Sequence, residues 1–224
     1  EKMSMEKELT INALGAKIVR TPTEAAHDDP RSNFGVAKKL NEEIANSHIL
    51  DQWTNCCNPD AHYFDTAQEI LNDFGTDLHM VVMGVGTGGT ATGVGKRLKE
   101  EISDIKIIGA DPYGSILGGE DEYKGKPYKV EGIGYDFIPK TCDHNYIDEF
   151  VKVNDKEAFN TARSLISKEG LLIGGSCGSA MFAALKAAKS LKKGQNCLVI
   201  LPDSIRNYMR KFLSDEWMQK NNLT

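Results

Sequence analysis

The feature that most constrains this chain is the run Leu78-His79-Met80-Val81-Val82-Met83-Gly84-Val85-Gly86-Thr87-Gly88-Gly89-Thr90-Ala91-Thr92-Gly93. Its apolar, β-branched part predicts a buried strand, the glycines that close it a tight turn, and Ala91 to Glu101 a helix. Strand, glycine turn and helix together present bare backbone N–H groups at a helix N-terminus, where hydrogen bonds and the helix dipole hold a phosphate dianion. A Cβ in such a loop blocks close approach and the positive φ angles that the turn needs. Thr87 and Thr90 add hydroxyl donors. A tight turn without a ligand is the plainer alternative; a phosphate-bearing ligand is the expectation.

Which phosphate compound is bound stays open at this level. Gly84-Val85-Gly86-Thr87-Gly88-Gly89 also satisfies G-x-G-x-x-G, and Asp111 closes the next apolar run at the spacing of a ribose-binding acid. A dinucleotide site is therefore a rival. A Walker A loop is excluded, because no Gly-Lys-Ser or Gly-Lys-Thr follows the glycines.

With 224 residues the chain can bury a sizeable core as one large α/β domain or two small ones. Its 27 basic and 32 acidic residues are mixed along the sequence, net charge −5, so neither a nucleic-acid stripe nor a polybasic membrane patch is present. No apolar run approaches the ~20 residues of a transmembrane helix. Residues 1–20 are too charged for a signal peptide. The cysteines (Cys56, Cys57, Cys142, Cys177, Cys197) form neither a disulfide framework nor paired C-x-x-C spacing, so a reducing, cytoplasmic setting is expected. Glu1-Lys2-Met3-Ser4 runs straight into a helical pattern, which predicts an N-terminally incomplete fold.

Periodicity places helices at 2–14, 33–44, 58–73, 155–169, 179–191 and 206–217, and strands at 16–20, 48–50 and 197–201, besides the strand–turn–helix–strand unit from 78 to 111. Residues 112–135, rich in Gly, Pro and Tyr, read as irregular surface structure. The alternation predicts an α/β fold of mostly parallel sheets flanked by helices on both faces. Residues 1–50 form part of a smaller α/β subdomain and 51–224 a larger, cofactor-binding one.

A second glycine turn, Gly174-Gly175-Ser176-Cys177-Gly178-Ser179, precedes the helix at 179–191. It matches the nucleophile elbow G-x-S-x-G, whose fold places its catalytic histidine after the serine. All five histidines (His27, His48, His62, His79, His144) precede Ser176, so the hydrolase order is impossible. Ser176 is left as an N-cap or as a hydroxyl aimed at a ligand. Cys177, with no basic partner nearby in sequence, reads as a small packed residue.

Taken together, the two glycine turns resemble the tryptophan-synthase-β-like family of pyridoxal-phosphate enzymes, fold type II. Four stretches resemble its cystathionine β-synthase branch: His48-Ile49-Leu50-Asp51-Gln52; Asn58-Pro59 with Ala61-His62-Tyr63; Glu131-Gly132-Ile133-Gly134-Tyr135-Asp136-Phe137-Ile138-Pro139; and Ile200-Leu201-Pro202-Asp203-Ser204-Ile205-Arg206-Asn207-Tyr208-Met209. The resemblance runs from Glu1 to Trp217. It implies that Gly86, Thr87, Gly88, Gly89 and Thr90 hold the phosphate of pyridoxal 5′-phosphate, and that Ser176 bonds its pyridine nitrogen. A neutral serine there suits β-elimination and replacement. Gly132, Gly134 and Tyr135 resemble the loop lining the substrate entrance, for which a glycine turn with a packed tyrosine is the plainer reading. Trp53 stands where the family has Tyr or Phe, and Cys177 where it has Ala or Ser.

The family's Schiff-base lysine lies in an upstream Ser-x-Lys motif that nothing in this sequence matches, so no catalytic residue is identified. The resemblance implies L-serine and L-homocysteine as substrates, L-cystathionine as product, and a homodimer. Cysteine synthase or serine/threonine dehydratase chemistry is the alternative within the class. A non-catalytic protein that binds a cofactor or partner is the alternative outside it.

Overall fold

The computed structural model describes residues 4–23, 25–26 and 28–224. They divide into two compact units, 1–51 and 52–224.

In the larger unit the apolar runs become four parallel strands, β1 (Met80–Gly84), β2 (Lys106–Pro112), β3 (Glu149–Val153) and β4 (Cys197–Val199), in the order β3-β2-β1-β4. Side chains alternate across a sheet, so β1 serves two cores at once. Val81, Met83 and Val85 pack with Ile107 against Ala91, Val94 and Leu98 of helix α1 (Gly89–Glu101). Met80 and Val82 join Ile108 and Ala110 against Ala183 and Ala184 of helix α2 (Gly175–Ala187) on the opposite face. Continuous apolar strands covered on both sides follow from this arrangement.

The strand order reverses at β1. One connection, from β1 to β2, runs through α1; the other, from β3 to β4, runs through helix α3 (Asp155–Glu169) and α2 on the far face. A crevice therefore opens beyond the carboxyl ends of β1 and β4, where open parallel sheets take their ligands. Helix α2 starts beside that edge: Gly174 N–H donates to Asp203 O at 3.1 Å, and Ile173 pairs with Ser204, both past the end of β4.

Both helices start earlier than their glycines suggest, at Gly89 and Gly175 rather than 91 and 179. Close packing overrides glycine's poor helix propensity. A Cβ on Gly178 would lie 2.0 Å from Ala158 O of α3, one on Gly93 would lie 2.2 Å from Pro59 O, and one on Gly175 would meet Phe159 at 2.6 Å. The helix expected at 58–73 is a five-residue helix (Cys57–Ala61), one π-turn (His62–Thr66) and a further helix (Ala67–Phe74) in succession. The single helix expected at 206–217 is instead a 3₁₀ turn (Ile205–Tyr208) and a short helix (Asp215–Lys220). The Ser204 and Ser214 hydroxyls each accept from a backbone N–H two or three residues on, which starts two elements where periodicity alone shows one. Tyr208, Phe212 and Met218 still share one buried cluster. Strand β3 escaped the sequence reading, although Glu149-Phe150-Val151-Lys152-Val153 alternates and buries Val151 and Val153.

In the smaller unit two helices, Met5–Ala13 and Asn33–Glu43, are present, the second capped by Ser32 Oγ accepting from Gly35 N–H at 3.1 Å. Residues 2 and 3 of the expected first helix lie outside the described residues. The strands expected at 16–20 and 48–50 do not form. A strand needs a hydrogen-bonded neighbour; here Val19 and Leu50 are exposed, and no strand pairing is made among the described residues of this unit. No described helix is long and apolar enough to cross a membrane.

β2 and β3 are joined by charge as well as by their ladder. Lys152 Nζ donates to Asp111 Oδ2 at 2.8 Å and to Ser115 O at 2.6 Å, and sits 3.2 Å from Asp121 Oδ2. Asp111 is fully buried. Removing the cation strands a buried carboxylate. We expect Lys152→Met to cost about 3–5 kcal/mol in chemical denaturation, and Lys152→Arg distinctly less.

Candidate functional site

β1 leads straight into the glycine turn. Val85 N–H donates to Ala110 O at 3.1 Å, and Gly88, at φ 80°, is the left-handed residue from which α1 springs. The first helical bond is Thr92 N–H to Gly88 O at 2.8 Å, so the N–H groups of Gly89, Thr90 and Ala91 precede the intrahelical ladder. They converge at the positive end of a thirteen-residue helix.

The protein's own chain, rather than a ligand, accounts for the glycines. A Cβ on Gly86 would lie 2.5 Å from Gly132 O, one on Gly88 2.3 Å from Cys142 Cβ, and one on Gly89 1.9 Å from Asn58 Oδ1. Asn58 is a residue the sequence reading gave no role, and it ties the turn down. Its Nδ2 donates to Gln52 O at 2.7 Å and to Thr87 Oγ1 at 3.0 Å. Thr141 Oγ1 donates to Thr87 O at 2.7 Å, and Thr92 Oγ1 to Thr141 O at 2.8 Å. Because Thr87 Oγ1 accepts from Asn58, its own proton is directed elsewhere. Thr90 Oγ1 lies 3.0 Å from His62 Nε2. A signal for Asn58 was available in the Asn-Pro step that opens a helix; none existed for Thr141, which comes from a loop 54 residues from Thr87.

The entrance residues assemble on this turn. Gly134 N–H donates to Val85 O at 2.8 Å, and Gly132 and Gly134 hold φ of 85° and 78°. Tyr135 N–H donates to Ser115 Oγ at 3.0 Å, so the segment hangs from the same loop that Lys152 pins. The Trp53 and Tyr135 rings meet edge to face at 6.5 Å, and Trp53 O accepts from Thr141 N–H at 3.2 Å. Burial pushes the Tyr135 phenol above its usual range, with a Trp53 hydrogen bond opposing it.

Ser176 stands on the other face of the sheet, at the same edge. It is not the N-cap, which is Gly174; it lies in the first turn of α2, buried, with no hydrogen-bond partner for its hydroxyl among the described residues. Beside it Cys177 is packed and inert, as read from sequence: burial pushes its thiol up to about 11, and its Sγ lies 3.5 Å from Asp203 Oδ1. Asp203 also accepts from Tyr208 OH at 2.5 Å, which with burial drives that phenol far above its usual range.

Two rival readings fail on geometry. Asp111 is fully buried, with its Oδ2 bound to Lys152 and to Gly118 N–H, so its carboxylate is not open to a ribose. No histidine is bonded to Ser176 among the described residues, so the nucleophile reading has no base. Nor does any group of three or more His, Cys, Asp or Glu form a metal site among them.

The turn's demand for glycine is measurable without a ligand. Gly88→Ala places a Cβ into Cys142 in a left-handed conformation, whereas Gly125→Ala, at φ 75°, meets nothing within 4 Å. Thermal unfolding should give a loss of about 1–2 kcal/mol for Gly125→Ala and about 3–5 for Gly88→Ala.

The model of the pyridoxal-phosphate dependent enzyme family matches residues 1–203. The chain is 55% identical over 223 residues to cystathionine β-synthase of Dictyostelium discoideum, covering 99% of this chain and 45% of that protein. It is 58% identical to the Rattus norvegicus cystathionine β-synthase, covering 97% and 39%. The crystal structure of the O-acetylserine dependent cystathionine β-synthase from Helicobacter pylori superposes with a TM-score of 0.85 at 40% identity, over 93% of this chain and 66% of that one. The chain thus spans less than half the length of the two curated relatives. On its parallel sheet, its glycine turn at the switch point and these matches together, the chain belongs to the pyridoxal-phosphate dependent enzymes of fold type II.

Proposed function

We propose that this chain forms the greater part of the cofactor pocket of a cystathionine β-synthase, an enzyme that replaces the β-hydroxyl of L-serine with the sulfur of L-homocysteine. The observation that carries the reading is the pairing, at one sheet edge, of a helix N-terminus rimmed by Thr87 and Thr90 with Ser176, a buried residue in the first turn of a second helix. Those donors fit pyridoxal phosphate: backbone N–H groups and two hydroxyls for a dianion, and a neutral hydroxyl for a pyridine nitrogen. The identity of 55–58% to proteins named cystathionine β-synthase supports the choice of reaction.

In this reading Gly86, Thr87, Gly88, Gly89 and Thr90 grip the phosphate, and Asn58 and Thr141 keep the grip from shifting. Ser176 orients the ring without imposing a positive charge on it. Bound there, pyridoxal phosphate supplies the electron sink for loss and replacement of the β-substituent. Trp53 and Tyr135 close the substrate side and exclude water, while Gly132 and Gly134 let the entrance segment lie flat on the turn. Residues 1–50 belong to the smaller subdomain and 51–224 to the cofactor-binding one. The full-length enzyme is a cytoplasmic homodimer acting on small amino acids.

One second reading has a specific support. The Helicobacter pylori neighbour is named for O-acetylserine, so the leaving group is the point on which a near relative differs. Competing ¹³C-labelled serine against unlabelled O-acetylserine, with homocysteine or sulfide as acceptor, tells the donors apart by the label carried into the product and the acceptors by which product forms.

In the full-length protein, Gly88→Asp should weaken pyridoxal-phosphate binding by several kcal/mol, since its Cβ would lie 2.3 Å from Cys142 Cβ and has to displace the turn that holds the phosphate. Unchanged affinity in fluorescence titration overturns the cup. Ser176→Ala should lower turnover and shift the cofactor absorbance; stoichiometric labelling of Ser176 by a fluorophosphonate would instead restore the hydrolase reading.

The 224 residues alone should give no cystathionine from serine, homocysteine and added cofactor, because no lysine here matches the family's covalent anchor. Multiple turnovers by mass spectrometry, with a borohydride-trapped adduct on one lysine, would refute this.

A further inference from the structure

We infer that His62 is a positioning residue for the cofactor phosphate: its Nε2–H occupies a lone pair of Thr90 Oγ1 and so turns the Thr90 hydroxyl proton toward the phosphate. The inference rests on the phosphate cup proposed above and adds to it a residue that touches neither cofactor nor substrate.

The argument is a count of protons. His62 Nε2 lies 3.0 Å from Thr90 Oγ1, and Nδ1 lies 3.0 Å from Thr66 Oγ1, so the ring links two hydroxyls. Burial lowers the His62 pKa, which leaves the imidazole neutral at neutral pH with one N–H and one bare nitrogen. Only two arrangements satisfy all three groups. In one, Thr90 gives its proton to Nε2 and the ring gives Nδ1–H to Thr66; the Thr90 oxygen then faces the cup with lone pairs alone. In the other, Thr66 gives its proton to Nδ1, the ring gives Nε2–H to Thr90, and Thr90 has its proton free. A phosphate dianion only accepts. The loaded cup therefore selects the second arrangement, a chain of donors running Thr66, His62, Thr90, phosphate, in which each bond polarises the next.

The backbone is built for this reach. His62 and Thr66 are the two ends of the π-turn, whose closing bond runs from Ala67 N–H to His62 O. Such single π-turns inside helices recur at functional sites. Gly93 of α1 has no side chain where a Cβ would lie 2.8 Å from His62 Cβ, and this lets the two helices approach until the ring meets Thr90. Tautomer, not charge, is the variable that the phosphate sets.

The test uses the full-length protein with ¹⁵N-labelled histidine. On titration with pyridoxal phosphate, the His62 ring should settle as the Nε2–H tautomer, with Nδ1 showing the shift of an accepting nitrogen. His62→Leu should raise the dissociation constant about tenfold, the scale of one hydrogen bond to a charged group. His62→Gln, whose amide can donate from the Nε2 position, should stay within about threefold of wild type. Thr66→Val, which keeps the ring packed and removes only the distal donor, should return the loaded ring to a mixture of tautomers and serves if His62→Leu does not fold. An Nδ1–H ring in the loaded protein, or unchanged affinity in a folded His62→Leu variant, overturns the inference alone. Failure of the wild type to bind pyridoxal phosphate overturns the cup, and the inference with it.

Discussion

With φ at 80° and Cys142 packed within 2.3 Å of where a Cβ would sit, Gly88 turns the chain from β1 into α1 through a space that admits only hydrogen. The direction of α1, and so the focus of its first N–H groups, follows from that one reversal. Asn58, Thr141 and the 132–135 segment are then fitted around the turn by hydrogen bonds to Thr87 and to Val85 O. The candidate site is thus a packed knot of backbone. Its donors are uncharged, and the helix supplies the electrostatics.

The large unit was mostly legible because its signals are local. β1, β2 and the 155–169 helix announce themselves through apolar runs and periodicity, and the Asn154–Glu157 capping box, in which both reciprocal bonds form in the structure, fixes where that helix starts. The glycine turn was legible for a sound reason and an incomplete one: glycine is indeed required, but the approaching atoms belong to Cys142, Gly132 and Asn58. What stayed hidden was non-local. Thr141 reaches Thr87 across 54 residues, and Lys152 meets Asp111 across 41. The strands expected at 16–20 and 48–50 had apolar content but no pairing partner, and composition cannot show a partner.

The residues singled out from sequence separate into two groups in space. Gly86 to Thr90, Trp53, Gly132, Gly134 and Tyr135 share one neighbourhood, linked by ring contact and backbone hydrogen bonds. Ser176 comes to the same edge from the opposite face, on a helix that buries Ala183 and Ala184 against β1 and β2. The sheet itself is the ruler between them. Asp111, which looked like a ligand residue by spacing, has gone into a structural ion pair with Lys152.

The contact between α2 and α3 sets a further measure. Gly178 lies so close to α3 that a Cβ there would come within 2.0 Å of Ala158 O and 2.9 Å of Ala162 Cβ. Ser176 is two residues away on the same rigid turn. The turn that carries its hydroxyl is therefore held between the sheet on which α2 lies and the helix α3 packed against α2. A larger side chain at Ala158 or Ala162, both wholly buried, therefore presses on the turn that carries Ser176 from a helix outside the glycine-turn cluster.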